Sequence, residues 1–112
     1  MIPAPFEYHR PESISEALTL LKRHGSEARV LAGGHSLIPM MRLRFAQPAH
    51  LIDLQSLKII KGISETGAEI KIGALTTQSE VMGSALIAAK APILREAIMQ
   101  IADPQVRSCG TV

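Results

Sequence analysis

A chain of 112 residues is the size of one domain, or of a piece of a larger one. Hydrophobic residues make up 46% and charged residues 20%, a globular balance that excludes a disordered tail. The net charge is only +2, and the tightest basic pair is Arg42 and Arg44, so the charge gives no footing for nucleic acid as a partner. Cys109 stands alone and can form no internal disulfide, as suits a reducing compartment. The longest apolar stretch, residues 85–94, is interrupted by Lys90 and Pro92. It falls short of the roughly 20 residues a membrane span needs. The N-terminus lacks the basic start and apolar run of a signal peptide. The expected location is cytoplasmic, and no integral membrane segment is expected.

In chain order, residues 1–12 carry Pro3, Pro5 and Pro11 and read as an extended arm with a short edge strand at residues 6–9. Ser13 and Glu16 have capping-box spacing. Ile14, Ala17, Leu18 and Leu21 follow at helical spacing, and Gly25 is the expected stop. Residues 28–32 are apolar enough for a buried strand. A Gly33-Gly34 turn leads into a second helix over residues 37–44, with Pro39 in its first turn. Residues 50–54 read as another strand. The stretches flanking Glu65-Thr66-Gly67 read as a hairpin. Thr77 and Glu80 repeat the capping-box spacing and open a short helix ending near Gly83. Pro92 opens a further helix with Ile93, Leu94, Ala97, Ile98 and Ile101 on one face, and Asp103-Pro104 is expected to end it. Met40, Met41, Met82 and Met99 are expected in the core.

The feature with most chemical content is Ala32-Gly33-Gly34-His35-Ser36 after a strand. Adjacent glycines permit positive φ and a close backbone approach to a ligand. Successive amides in such a turn can form an anion nest, and Ser36 can add a hydroxyl donor. Phosphate or pyrophosphate is the ligand class suggested. A tight strand-to-helix turn that needs glycine for geometry alone is the competing reading. No Gly-Lys-Ser/Thr follows, so the loop is not a Walker A, and it does not match the dinucleotide fingerprint either. His35 and Ser36 are neighbours with no third group to orient them, which argues against a hydrolase. His9, His24, His35 and His50 are expected to lie far apart, so no metal site is expected. The Gly73-Ala74 turn, with Thr76 and Thr77, caps a helix or lies beside the same ligand. Asp53 reads as a strand-end residue, and Asp103 with Arg107 as a helix stop with a salt bridge.

Taken together, residues 5–11, 31–39, 72–77 and 101–107, followed by Gly110-Thr111-Val112, resemble the FAD-binding medium subunit of molybdenum hydroxylases. Within that family the likeness is to the carbon monoxide dehydrogenase branch, with xanthine dehydrogenase subunits more distant. The resemblance runs the length of the chain. It implies an α+β fold, the N-terminal subdomain of the vanillyl-alcohol-oxidase (PCMH) type of FAD-binding fold, with a small mostly parallel sheet, helices and a hairpin. Residues 1–112 would form one such subdomain, cut before the second glycine loop is complete.

The same resemblance implies that Ala32, Gly33, Gly34, His35 and Ser36 hold the FAD pyrophosphate through backbone amides. Gly110 and Thr111 would begin the second loop, and Gly73, Ala74, Thr76 and Thr77 would belong to the flavin side. It implies an oxidoreductase working as a complex with a molybdopterin-binding large subunit and a [2Fe-2S] small subunit, passing electrons through FAD to an acceptor. No side chain here is expected to be catalytic, because the cofactor carries the redox chemistry. The segment alone is expected to be inactive. The rival reading is a non-catalytic module that binds a phosphate-containing ligand or a protein partner.

Overall fold

The computed structural model describes residues 2–101 and 103–112. Met1 and Ala102, which belong to stretches discussed above, lie outside the described residues. The chain resolves into two compact units, residues 1–58 and 59–112, each considered by itself.

The first unit is built on a three-stranded parallel sheet. Its strands are Glu7–His9 (β1), Ala28–Leu31 (β2) and His50–Asp53 (β3), in the order β1-β3-β2. Parallel pairing requires crossovers, supplied by the helices Ile14–His24 (α1) and Leu37–Arg42 (α2). The central strand β3 is buried at Leu51, Ile52 and Asp53, as a parallel strand covered on both faces should be. Full burial of Ile52 alone contributes about 1.5–3 kcal/mol. On one face Leu31 and Leu51 pack with Met41 of α2, supported by Leu37 and Ala46. The strand β2 is not the buried strand that its composition suggests. It is an edge, with Arg29 and Val30 exposed and only its ends, Ala28 and Leu31, buried.

Helix α1 begins as its sequence requires. The Ser13 side chain accepts from the Glu16 amide at 3.1 Å. The return bond runs from the Glu12 amide to Glu16 Oε2 at 3.0 Å, one residue before the position a capping box uses. Gly25 ends the helix at φ +53, its amide bonded to the Leu21 carbonyl. At the end of α2 the left-handed residue is Arg44 at φ +59, a place usually taken by glycine. Its strain is offset by the amides of Phe45 and Ala46, which both donate to the Met40 carbonyl.

In the second unit, strands Ile63–Thr66 (β4) and Glu69–Ile72 (β5) form an antiparallel hairpin. The two-residue loop starts with Gly67 at φ +59, the sign a type II′ loop demands of its first central residue. Four short helices follow: Gln78–Met82 (α3), Ala85–Lys90 (α4), Pro92–Met99 (α5) and Pro104–Cys109 (α6). Val81, Ile87 and Ile98 form the core, covered by Ile63, Ile70, Ile72 and Met82.

Several expectations change here. Helices α4 and α6 replace a plain apolar run and a helix stop. Asp103 does not end α5; it caps α6, accepting from the Val106 amide at 2.9 Å, with Pro104 at the first helical position. Arg107 makes no salt bridge to Asp103; its Nη1 donates to the Met99 carbonyl at 3.2 Å. Of the expected apolar face of α5 only Ile98 is buried, and Ile93 is 73% exposed. Met41 is buried, whereas Met40 and Met99 are about half exposed. The described helices include none long and apolar enough to cross a membrane.

Candidate functional site

In the first unit the loop 32–36 follows the end of β2, where Leu31 is anchored by its carbonyl accepting from the Leu54 amide at 2.9 Å. Gly34 sits at φ +82. A Cβ there would meet the flexible ends of Ile38 (Cδ1, 2.8 Å) and Leu31 (Cδ1, 3.3 Å), which can shift, so it is the positive φ that calls for glycine. The Gly34 carbonyl accepts from Ile38 and the Ser36 carbonyl from Met40, which turns the loop into α2. Among the described residues, the amides of Gly34, His35 and Ser36 have no backbone acceptor. The Ser36 hydroxyl caps nothing, and the side chains of His35 and Ser36 are exposed. The three amides form a cradle of donors without backbone acceptors, and it fits an anionic group.

Asp53 closes β3 at the same end of the sheet. It accepts from the Tyr8 hydroxyl and from the Gln55 amide at 3.0 Å, the strand-end role read from sequence. The hydrogen bond to Asp53, then burial and the carboxylate's charge, raise the Tyr8 phenol above its ordinary range, with Arg10 opposing.

The second unit brings Gly73, Thr76, Thr77, Gly110 and Thr111 together. The Thr76 amide donates to the Gly73 carbonyl at 3.0 Å. The Thr76 side chain is fully buried; its hydroxyl donates to the Gly62 carbonyl at 3.1 Å and accepts from the Gly62 amide at 2.9 Å. Thr77 caps α3 and bridges Thr111. The Gly110 carbonyl accepts from the Gln78 amide at 2.8 Å, and the Val112 amide donates to the Thr76 carbonyl. The two threonine hydroxyls are therefore spent inside the protein. A Cβ at Gly73 would run into the Ile60 carbonyl, which alone explains that glycine. Ala74 is exposed.

Burial pushes the Glu80 carboxyl up, but the Lys61 ammonium at 3.0 Å and the Thr77 hydroxyl outweigh it. The group ionises below the ordinary glutamate range.

Two features had no signal in the sequence. Gln78 Oε1 is buried beside Gly110 without a hydrogen-bond partner. And the histidines are not all far apart: His9, His24 and His50 offer ring nitrogens within 4.8 Å of one another. Parallel register and the end of α1 bring them together, which residue spacing cannot reveal.

By sequence the chain belongs to the family of FAD binding domains in molybdopterin dehydrogenases, whose model it matches over residues 4–112. FAD is thus the cofactor of its class, and the loop 32–36 is chemically suited to that cofactor's pyrophosphate. Among individual relatives, the chain is 53% identical to the carbon monoxide dehydrogenase medium chain of Hydrogenophaga pseudoflava and 54% identical to that of Afipia carboxidovorans. Both alignments cover all of this chain and 39% of the relative. The fold agrees: the crystal structure of a cyanide-inactivated Cu,Mo-CO dehydrogenase superposes with a TM-score of 0.97 at 54% identity, over all of this chain and 39% of that one. The chain thus spans about two-fifths of the length of these relatives.

Proposed function

We propose that this chain is the FAD-holding part of an electron-transfer subunit in a molybdenum-containing hydroxylase or dehydrogenase of the carbon monoxide dehydrogenase type. The observation that carries the reading is the loop 32–36, whose amides at Gly34, His35 and Ser36 lack backbone acceptors beside a glycine at φ +82. When bound, FAD supplies the redox chemistry, and the protein supplies binding and orientation.

On this reading the amides of Gly34, His35 and Ser36 point at pyrophosphate oxygens, with the Ser36 hydroxyl as a further donor, and Ala32 and Gly33 carry the backbone from β2 into that turn. In the second unit, Ala74 and Thr111 present backbone to the cofactor. Gly73, Thr76, Thr77 and Gly110 act as positioning residues, because the threonine hydroxyls, the space at Gly73 and both backbone groups of Gly110 are committed internally. No side chain serves as a catalytic acid or base.

Relatives named as medium chains support a large and a small partner subunit; on the proposed reading these are a molybdopterin-binding and a [2Fe-2S] subunit, which deliver electrons that FAD passes to an acceptor. Exposed apolar residues such as Leu18 and Ile93 suit a chain that is covered in an assembly. A solitary exposed thiol at Cys109 suits work in the cytoplasm.

Micromolar affinity for FAD needs about 8 kcal/mol. Charge-assisted hydrogen bonds contribute about 1.5–3 kcal/mol each before ordering costs. Helix α2 has only 6 residues and adds little dipole. Three amides approach that figure only at the top of this range, and ordering costs pull it back, so residues 1–112 alone should bind FAD weakly. The test is to purify the full-length chain and the 112-residue segment in parallel and measure the flavin spectrum per mole of protein. The expected result is a yellow full-length chain and a colourless segment. A full-length chain that neither carries nor takes up FAD contradicts the proposal.

A further inference from the structure

The three histidines in the first unit form a second cluster with chemistry of its own. Glu7 pairs with His50 across β1 and β3, and His9 lies two residues along, on the same face of the sheet. His24 is the last residue of α1, the helix that packs against β3. His9 Nε2 lies 3.1 Å from His50 Nδ1. Glu7 Oε2 lies 3.2 Å from His50 Nδ1 and 3.9 Å from His9 Nε2. The His24 ring stacks on that of His50, with centroids 3.5 Å apart and planes 16° from parallel.

We propose that His9, His24 and His50, with Glu7 Oε2 as fourth ligand, bind a divalent transition-metal ion of the zinc class, independently of the FAD loop. Zinc bonds to nitrogen run to about 2.0–2.1 Å, so the edges of its tetrahedron are about 3.3–3.4 Å. The His9–His50 and Glu7–His50 separations already match such edges. Glu7 is exposed and free to close the remaining gap, and His24 must swing out of its stack to turn a nitrogen inward. Three imidazoles and one carboxylate suit zinc and its neighbours in the transition series rather than calcium or magnesium. The side chains of His9 and His50 are 24% and 15% exposed, enough for an ion to enter. A bound ion would tie the edge strand β1 and the end of α1 to the central strand.

The test uses the full-length chain without an affinity tag, stripped with chelator and titrated with cobalt and then zinc. The expected result is one equivalent of cobalt giving the intense visible bands of four-coordinate geometry, abolished by zinc. Losing a residue that merely supports a ligand weakens metal sites about 10–100-fold, so His24→Ala and His50→Gln should each weaken zinc binding at least tenfold. Cys109→Ser should bind as the parent does. A measurement on the unaltered chain guards against misfolded variants: zinc should protect His9, His24 and His50, but not His35, from diethylpyrocarbonate modification. Absence of four-coordinate cobalt bands, or zinc protection that spares the three rings, overturns the proposal.

Discussion

The two glycine turns that precede helices α2 and α3 differ in what surrounds the missing side chain. At Gly73 an added Cβ would strike the Ile60 carbonyl, a backbone group that cannot step aside. Nearby hydroxyls and amides are already paired, through Thr76 to Gly62 and through Thr77 to Glu80. At Gly34 the neighbours are side-chain ends, Ile38 and Leu31, and the following amides are left without backbone acceptors. Gly73 is thus required by packing against backbone and Gly34 by its own positive φ, and only the turn at Gly34 leaves amide donors open.

The largest effect expected from this contrast is at Gly73. Gly73→Ala should destabilise the full-length chain by about 3 kcal/mol, the upper range for forced overpacking, read as a lowered urea midpoint. A change below about 0.5 kcal/mol would mean that the hairpin can move away from Ile60. Thr76→Val comes next. It keeps the shape but removes the acceptor of the Gly62 amide, while the Gly62 carbonyl keeps its bond from the Gly73 amide, at a cost of about 1 kcal/mol by the same measurement. Asp103→Ala removes the cap of α6 and should cost about 1 kcal/mol, while Asp103→Asn should cost less.

The smallest effect is a pH dependence. Glu80 ionises more readily folded than unfolded, so its contribution is present above the ordinary glutamate pKa and is lost as pH falls through the lower folded value. The stability gap between the parent and Glu80→Gln should narrow across that acid window. A gap that stays constant there would sink the assignment to the Lys61 pair.

Much of this was readable from residues whose signals are local. Ser13 with Glu16, Gly25, Gly67, and Thr77 with Glu80 each mark a cap or a turn, and each appears where expected. The Gly33-Gly34 stretch was legible as the turn from β2 into α2, where Gly34 takes a positive φ. What was missed depended on context. Asp103-Pro104 is both a plausible stop and a strong start, and only the Val106 amide decides between them. The apolar stretch from Ala85 hides α4, because Ser84 caps it without the acidic partner that marks a capping box. The exposure of β2 follows from its place at the sheet edge, which composition does not encode. His9 and His50 meet through sheet register and His24 joins them from the end of α1, at spacings no local pattern marks.

The central claim, that the amides around Gly34 hold the FAD pyrophosphate, is tested most directly by FAD affinity. Apo full-length chain carrying Gly34→Ala would be titrated beside Gly67→Ala, which imposes the same kind of left-handed strain, about 1–2 kcal/mol, at a hairpin loop with open space around it. The account predicts that both variants lose stability, that Gly34→Ala weakens FAD binding at least about tenfold, equivalent to about 1.4 kcal/mol, and that Gly67→Ala binds FAD as the parent does. Equal FAD affinity in the two folded variants would contradict it.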